Sequence, residues 1–227
     1  MKTSIAIGAL ALVAIAGSAA SAAVITQTQT ISPTGTDIVQ TQNFAQFDPA
    51  LGTLTGVTVT ASASQGPVSM KFTYIGSETS PADEEFLYAF DFTGSIMQGT
   101  NTIASGANQV FDPFGPLSGY GSIVAPEGYL PGQAIIYSNP AWSLSIANVV
   151  NVLPANFTPY VGVGTVAFDV RLENIFGITF PSSLWNPQLT TNGQSSITVD
   201  YTYTPVPTPG AAAVLGLGGL LAARRRR

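Results

Sequence analysis

The amino-acid sequence predicts an all-β protein: a single antiparallel β-sandwich, jelly-roll-like, flanked by a signal peptide and a short apolar C-terminal sorting helix. Three observations lead there. Apolar and polar residues alternate along several segments, the period of a strand with one face in a core and one in water. Gly (23) and Pro (16) punctuate these segments along the 227 residues. Between the two ends, no segment carries the apolar stripe of an amphipathic helix. A closed barrel is the alternative architecture. An outer-membrane barrel does not suit the outward Thr, Ser and Asp side chains, which would meet lipid.

Residues 1–22 read as a signal peptide. Lys2 supplies the positive start and Ile5 to Ala16 the apolar run. At about 12 residues that run is short of the ~20 needed to span a bilayer. Ala20-Ser21-Ala22 fits the small-residue cleavage rule, which makes Ala23 the mature start.

Residues 23–205 form the β-domain. Phe44 and Phe47 are expected in the core, Asp48-Pro49 starts a turn, and Gly52 gives the backbone freedom before a strand. Val57, Val59, Ala61 and Ala63 alternate with hydroxyl residues, and Val68, Met70, Phe72 and Tyr74 continue the pattern. Gln65-Gly66-Pro67 between them reads as a hairpin turn. Ser80-Pro81-Ala82-Asp83 opens at most one helical turn, with Ser80 as its cap. Phe86 to Phe92 is almost wholly apolar and suits a central strand. Asp112 to Gln133, with four prolines and five glycines, reads as a long functional loop. Trp142 sits in an apolar strand. Val166, Phe168, Val170 and Leu172 alternate, as do Ile197, Val199, Tyr201 and Tyr203. Gly162-Val163-Gly164 falls inside a strand, and Asn192-Gly193 favours a tight turn before the last one.

Residues 206–227 form a three-part tail. Val206, Pro207, Thr208, Pro209 and Gly210 make an extended break. Ala211 to Ala223 is an uncharged Ala/Gly/Leu segment, and Arg224, Arg225, Arg226 and Arg227 close the chain. As a helix the apolar part reaches only about 20 Å, against a bilayer core near 30 Å. That suits transient retention, with the arginines held on the cytoplasmic side. The order resembles a PEP-CTERM sorting signal, with Thr208 where that family's motif carries a glutamate. The resemblance implies an exosortase-type processing enzyme as partner. It also implies an address at the cell surface or in extracellular matrix, with membrane association before processing. The segment Asn43 to Thr60 (NFAQFDPALGTLTGVTVT) resembles the opening of choice-of-anchor E domains, exported bacterial domains with varied C-terminal anchors. That resemblance implies no activity and no catalytic residues.

Charge and composition narrow the chemistry. The chain has no His and no Cys, which removes thiol nucleophiles, His-based triads and Cys zinc sites. Between the ends, Lys71 and Arg171 face all twelve acids, a net charge of −10. Such a body repels phosphate backbones, so nucleic acid is not an expected partner. Carboxylates are the remaining catalytic type: Glu78, Asp83, Glu84, Glu85, Asp91, Asp112 and Glu127 lie mid-chain. No spacing singles out a glycosidase pair, and none matches a calcium loop. Asp83-Glu84-Glu85 suits a solvated turn, and Asp169 with Arg171 an exposed ion pair. Asn156-Phe157-Thr158 matches a glycosylation sequon only formally. Aromatic platforms for sugars would be Tyr120 and Tyr129 in the long loop, with Tyr137, Trp142 and Trp185 as further candidates.

The function expected is that of an exported, non-catalytic surface or matrix protein, without cofactor or metal. Its route requires the Sec translocon and signal peptidase, and extracellular polysaccharide is the candidate ligand. A carbohydrate- or calcium-binding module of the extracellular polysaccharide and, further off, a carboxylate-dependent glycoside hydrolase are the alternatives.

Overall fold

A computed structural model describes residues 21–35, 37–81, 84–110, 121–179 and 182–206. The strands are β1 (Ala23–Gly35), β2 (Ile38–Ala45), β3 (Gly52–Gln65), β4 (Ser69–Tyr74), β5 (Glu84–Gln98) and β6 (Asn101–Val110). They continue with β7 (Gly121–Ala125), β8 (Ala134–Ser138), β9 (Leu144–Val152), β10 (Thr165–Thr179), β11 (Trp185–Thr190) and β12 (Asn192–Pro205). Short 3-10 turns occupy Pro49–Leu51, Pro154–Asn156 and Thr158–Tyr160.

One sheet has the order β1-β12-β3-β9, a second β11-β4-β8, and a third β2-β10-β5-β6 with β7 also on β5. The second continues the first. β3 runs into β4, β8 into β9 and β11 into β12, all across one transverse crease. The Gly66 N–H donates to the Asn192 carbonyl (2.6 Å) and the Val68 N–H to the Trp142 carbonyl (3.0 Å), so bonding carries through it. β6 and β7 likewise lie end to end along β5. Two layers of four long strands result. In chain order the first long strand pairs with the eighth, the second with the seventh, the third with the sixth and the fourth with the fifth, all antiparallel. That wound ribbon is the jelly roll. Sandwich rather than closed barrel is therefore the architecture.

The alternating residues read from the sequence do face inward. Val57, Val59, Ala61 and Ala63, then Met70, Phe72 and Tyr74, then Val166 to Leu172 in steps of two, are buried. β5 is central, between β10 and β6/β7, with Phe86, Phe90 and Phe92 in the core. Phe44 meets Phe168 edge-on at 5.4 Å, and Phe72 meets Phe86 across the layers at 4.5 Å. Each such ring contributes about 1.5 to 3 kcal/mol on burial. Asp48 caps its 3-10 turn by accepting from the Ala50 N–H (2.8 Å).

Four local expectations need correction. Gln65-Gly66-Pro67 is not a hairpin, because β3 and β4 never pair; it is the crease. Asn192-Gly193 is not a turn but the start of β12, paired with Gly35 and Thr34. Its missing Cβ makes room for Ile38, whose Cδ1 would lie 2.7 Å from one. Gly162-Val163-Gly164 is a bend before β10, not strand, and Gly162 has φ 147°. The stretch 112–133 is not one loop, since it contains β7. Turn residues mark where pleating is interrupted, but not whether the chain reverses there.

Both lateral edges are laced by amide side chains. At the β1/β2 edge, Gln27 Nε2 donates to the Ala45 carbonyl and Gln27 Oε1 accepts from the Ala45 N–H, each at 2.9 Å. Gln29 donates to the Asn43 carbonyl. At the β6/β9 edge, Asn148 donates to the Ile103 carbonyl (2.7 Å) and Asn108 to the Ser143 carbonyl (2.6 Å). A primary amide carries the donor and acceptor of a peptide unit, so it can occupy backbone groups that an edge would offer to another chain. Gln27→Ala should cost about 1 to 2 kcal/mol and open this edge to self-association. Sedimentation velocity across a concentration series checks it; a variant as monomeric and stable as the parent would show that the lacing is idle.

Both ends of the domain leave together. Ala23 pairs with Tyr203, and the Val206 N–H donates to the Leu51 carbonyl (3.1 Å). Residues 1–20 and 207–227 lie outside the described set. The hydrophobic sorting helix, Ala20, Pro207 to Gly210 and the four arginines therefore have no structural account here. Among the described residues no helix is long and apolar enough to cross a membrane.

Candidate functional site

At the end of the sandwich where the termini leave, a cleft of about 490 Å³ opens between the start of β6 and the end of β9. The turn between β5 and β6, with Gly99 at φ 57°, places Gln98, Asn101 and Thr102 on one wall. The other wall is Val150 to Val152 followed by the two 3-10 turns. Pro154 and Pro159 stand in the first turns of those segments, where a fixed φ and a missing N–H cost nothing. Gln46 clamps the wall from behind: its Nε2 donates to the Pro159 carbonyl and its Oε1 accepts from the Gly164 N–H, both at 3.0 Å. The Phe47 N–H donates to the Tyr160 carbonyl (2.8 Å).

The lining holds no Asp, Glu, Lys or Arg. Asn151 and Asn156 provide amides, and Thr102 and Thr158 hydroxyls. Ile103, Val152 and Leu153 add aliphatic surface. Asn101 donates to Gln98 Oε1 (3.3 Å), and Asn151 Oδ1 accepts from the Thr58 hydroxyl (2.9 Å). These bonds leave the Gln98 and Asn151 NH₂ groups and Asn101 Oδ1 turned to other uses. Tyr160, which also lines the cleft, is 3% exposed. A shallower recess of about 470 Å³ lies on the outer face of the first layer, edged by Thr30, Pro33, Ser62 and Gln194. It too is uncharged.

Burial pushes the Tyr160 phenol up, and burial together with neighbouring Tyr160 pushes Tyr201 up to about 12. A tyrosine is neutral when protonated, so the folded state holds its proton more tightly than the unfolded state. The stabilisation is complete below about pH 10, the ordinary value, and is lost as pH rises through about 12. Alkaline unfolding should therefore begin above pH 10, with phenolate absorbance from Tyr201 appearing only on unfolding. Tyr201→Phe should flatten that slope while losing the bond to the Ala45 carbonyl (3.0 Å). A slope unchanged in Tyr201→Phe would remove Tyr201 from the account.

The aromatic platforms read from the sequence fare differently. Tyr120 lies outside the described residues. Tyr129 is half-buried, and its ring packs on Trp185 at 5.6 Å. Its N–H donates to the Ser80 hydroxyl (2.9 Å). Ser80 is buried and ties the 126–129 loop, while Ala82 and Asp83 of the turn read from the sequence lie outside the described residues, and β5 begins at Glu84. Trp142 and Trp185 are core residues, at 6% and 4% exposure. Tyr137 is half-buried, with its hydroxyl donating to the Val124 carbonyl (3.4 Å). Arg171 pairs with Glu173 (3.6 Å), not Asp169, which instead accepts from the Thr41 hydroxyl (2.6 Å). Of the acids Asp83-Glu84-Glu85, Asp83 lies outside the described residues, Glu84 and Glu85 begin β5, and Glu84 is buried and accepts from the Trp185 indole rather than lying in a solvated turn. Among the described residues no three acids gather where they could hold a metal ion.

The cleft residues were missed because nothing in Gln98 to Thr102 or Asn151 to Tyr160 is periodic, and none of it is charged at neutral pH. The one available signal was the density of neutral amides and hydroxyls in two segments far apart in sequence. The formal sequon residues Asn156 and Thr158 belong to this wall.

No family model matches the chain. No curated protein matches it. Among solved structures, the chain is similar to one from the structure of infectious bursal disease virus Gx strain. There the identity is 9% over 83% of this chain and 42% of that one, with a TM-score of 0.14. The infectious bursal disease virus VP2 subviral particle gives 15% identity over 97% and 54%, with a TM-score of 0.14. The chain spans about half the length of these proteins. Likenesses this slight carry no argument.

Proposed function

We propose that this protein is exported and sorted to the cell surface or extracellular matrix, where its jelly roll serves as a non-catalytic interaction domain. One observation carries the reading. The strand ribbon opens at Ala23, the residue that the cleavage rule makes the mature start, and closes at Pro205, just before the tail. Removing both end segments would therefore leave every strand whole. Ala22 is exposed, and Val206 is 57% exposed, as a processing enzyme needs. The signal peptidase and Sec translocon act first; an exosortase-type enzyme acts on the tail while the membrane holds it.

Intact-mass spectrometry of the native protein from cell, matrix and medium fractions tests this. The expected mass starts at Ala23 and ends near Pro207, in matrix or medium. A chain that keeps Met1 and stays in the cytoplasm overturns the reading. One that keeps Arg227 in the membrane makes the tail a plain anchor.

A further inference from the structure

We propose that the β6/β9 cleft binds a segment of an uncharged polysaccharide. The inference rests on the exported reading above and gives its interaction domain a site and a ligand class.

The chemistry of the walls selects the ligand. With no ionisable side chain but a buried phenol, the cleft gives a charged ligand no partner, and the −10 body repels anions. Sugar hydroxyls each donate and accept. The cleft presents both functions, through the NH₂ groups of Gln98 and Asn151, the carbonyl of Asn101 and the hydroxyl of Thr158. Bonds within the protein already orient the first three of these side chains, so little ordering entropy is lost on binding. Ile103, Val152 and Leu153 offer aliphatic surface to the C–H faces of a ring.

A polypeptide adding as a strand fits less well. It would need the edge backbone groups of β6 and of the segment leading into β9. The Ile103 carbonyl is taken by Asn148, and the Ala141 and Ser143 carbonyls by Asn108. About 490 Å³ is within the usual range for a ligand site, and the cleft is open to solvent, so a chain can pass through it.

The test is affinity electrophoresis of the full chain in gels containing dextran, laminarin, galactomannan or the host's matrix polysaccharide. Alginate serves as the anionic polymer and unfolded casein as the polypeptide. At least one uncharged polymer should retard the protein. The double variant Asn101→Asp/Asn156→Asp places two carboxylates in the cleft at nearly constant volume. It should weaken that retardation at least tenfold, with an unchanged melting temperature. Thr158→Val, which adds no charge, should weaken it severalfold, and Ser62→Asp in the other recess should leave it alone. No retardation by any uncharged polymer overturns the proposal, as does equal retardation by alginate or casein. Loss with Ser62→Asp and not with the cleft variants also overturns it. The mass measurement separates the two readings: protein found in the matrix but not retarded means that only the cleft assignment fails.

Discussion

Trp185→Ala should lower stability by about 4 kcal/mol. In a chain of this size that is a fall of roughly 8 to 16 °C in melting temperature. Trp185 sits on β11 at 4% exposure, with Tyr74 at 5.1 Å, Phe86 at 5.4 Å and Tyr129 at 5.6 Å around its ring. Its indole N–H donates to the buried Glu84 carboxylate. Truncation therefore opens a cavity and leaves a buried acceptor without its donor. Two further variants divide these effects. Trp185→Phe keeps a ring and removes the donor, which should cost about 1 to 3 kcal/mol through the stranded carboxylate alone. Adding Glu84→Leu to Trp185→Phe should recover part of that loss, because no buried charge then needs a partner. Urea unfolding measures all three. A Trp185→Phe protein within about 0.5 kcal/mol of the parent would mean the indole bond contributes nothing, since changes of that size are ordinary even at neutral surface sites.

Gly52→Ala is expected to cost about 3 kcal/mol, from backbone strain and forced overpacking together. Gly52 begins β3 with φ 155° and ψ −160°, opposite the end of β12. A Cβ there would run into the Thr204 carbonyl oxygen and lie 2.9 Å from the Pro205 Cα. Both obstacles are backbone, so no side-chain rotation relieves them. The damage falls on the pairing that holds the last residues before the tail. Gly35→Ala is the matched control, with nothing within 4 Å of the new methyl group. Equilibrium unfolding of the pair should separate them clearly; equal stabilities would show that the β3 entry relaxes freely.

Gly52 also shows how far the sequence could be read. Its need for freedom was visible beside Asp48-Pro49, because turn chemistry is local. Inward faces such as Val166 to Leu172 were visible because the side-chain period of a strand is two. Partners were not visible. Val68 to Tyr74 follows Val57 to Ala63 after Gly-Pro, which suits reversal and straight continuation equally, and only the other strands of the layer decide. The amides of Gln27, Asn108 and Asn148 carry no local signal; their roles depend on backbone groups 18 to 45 residues away. The cleft was hidden for the same reason. Its two walls are neutral, aperiodic and separated by about 50 residues of chain, so composition alone could not bring them together.

The position of β12 has a mechanical consequence. This strand lies between β1 and β3, paired along almost its whole length with both, and its C-terminal end is where the chain continues past Val206. A pull applied beyond that residue runs along the strand axis. It loads the two flanking hydrogen-bond ladders in shear, all rungs sharing the force, rather than peeling them one at a time. Had the chain ended on an edge strand such as β9, a sideways tug could have unzipped it. The topology thus suits a domain loaded through its C-terminal end. Single-molecule stretching from that end should need higher forces than stretching the domain through an attachment on β9.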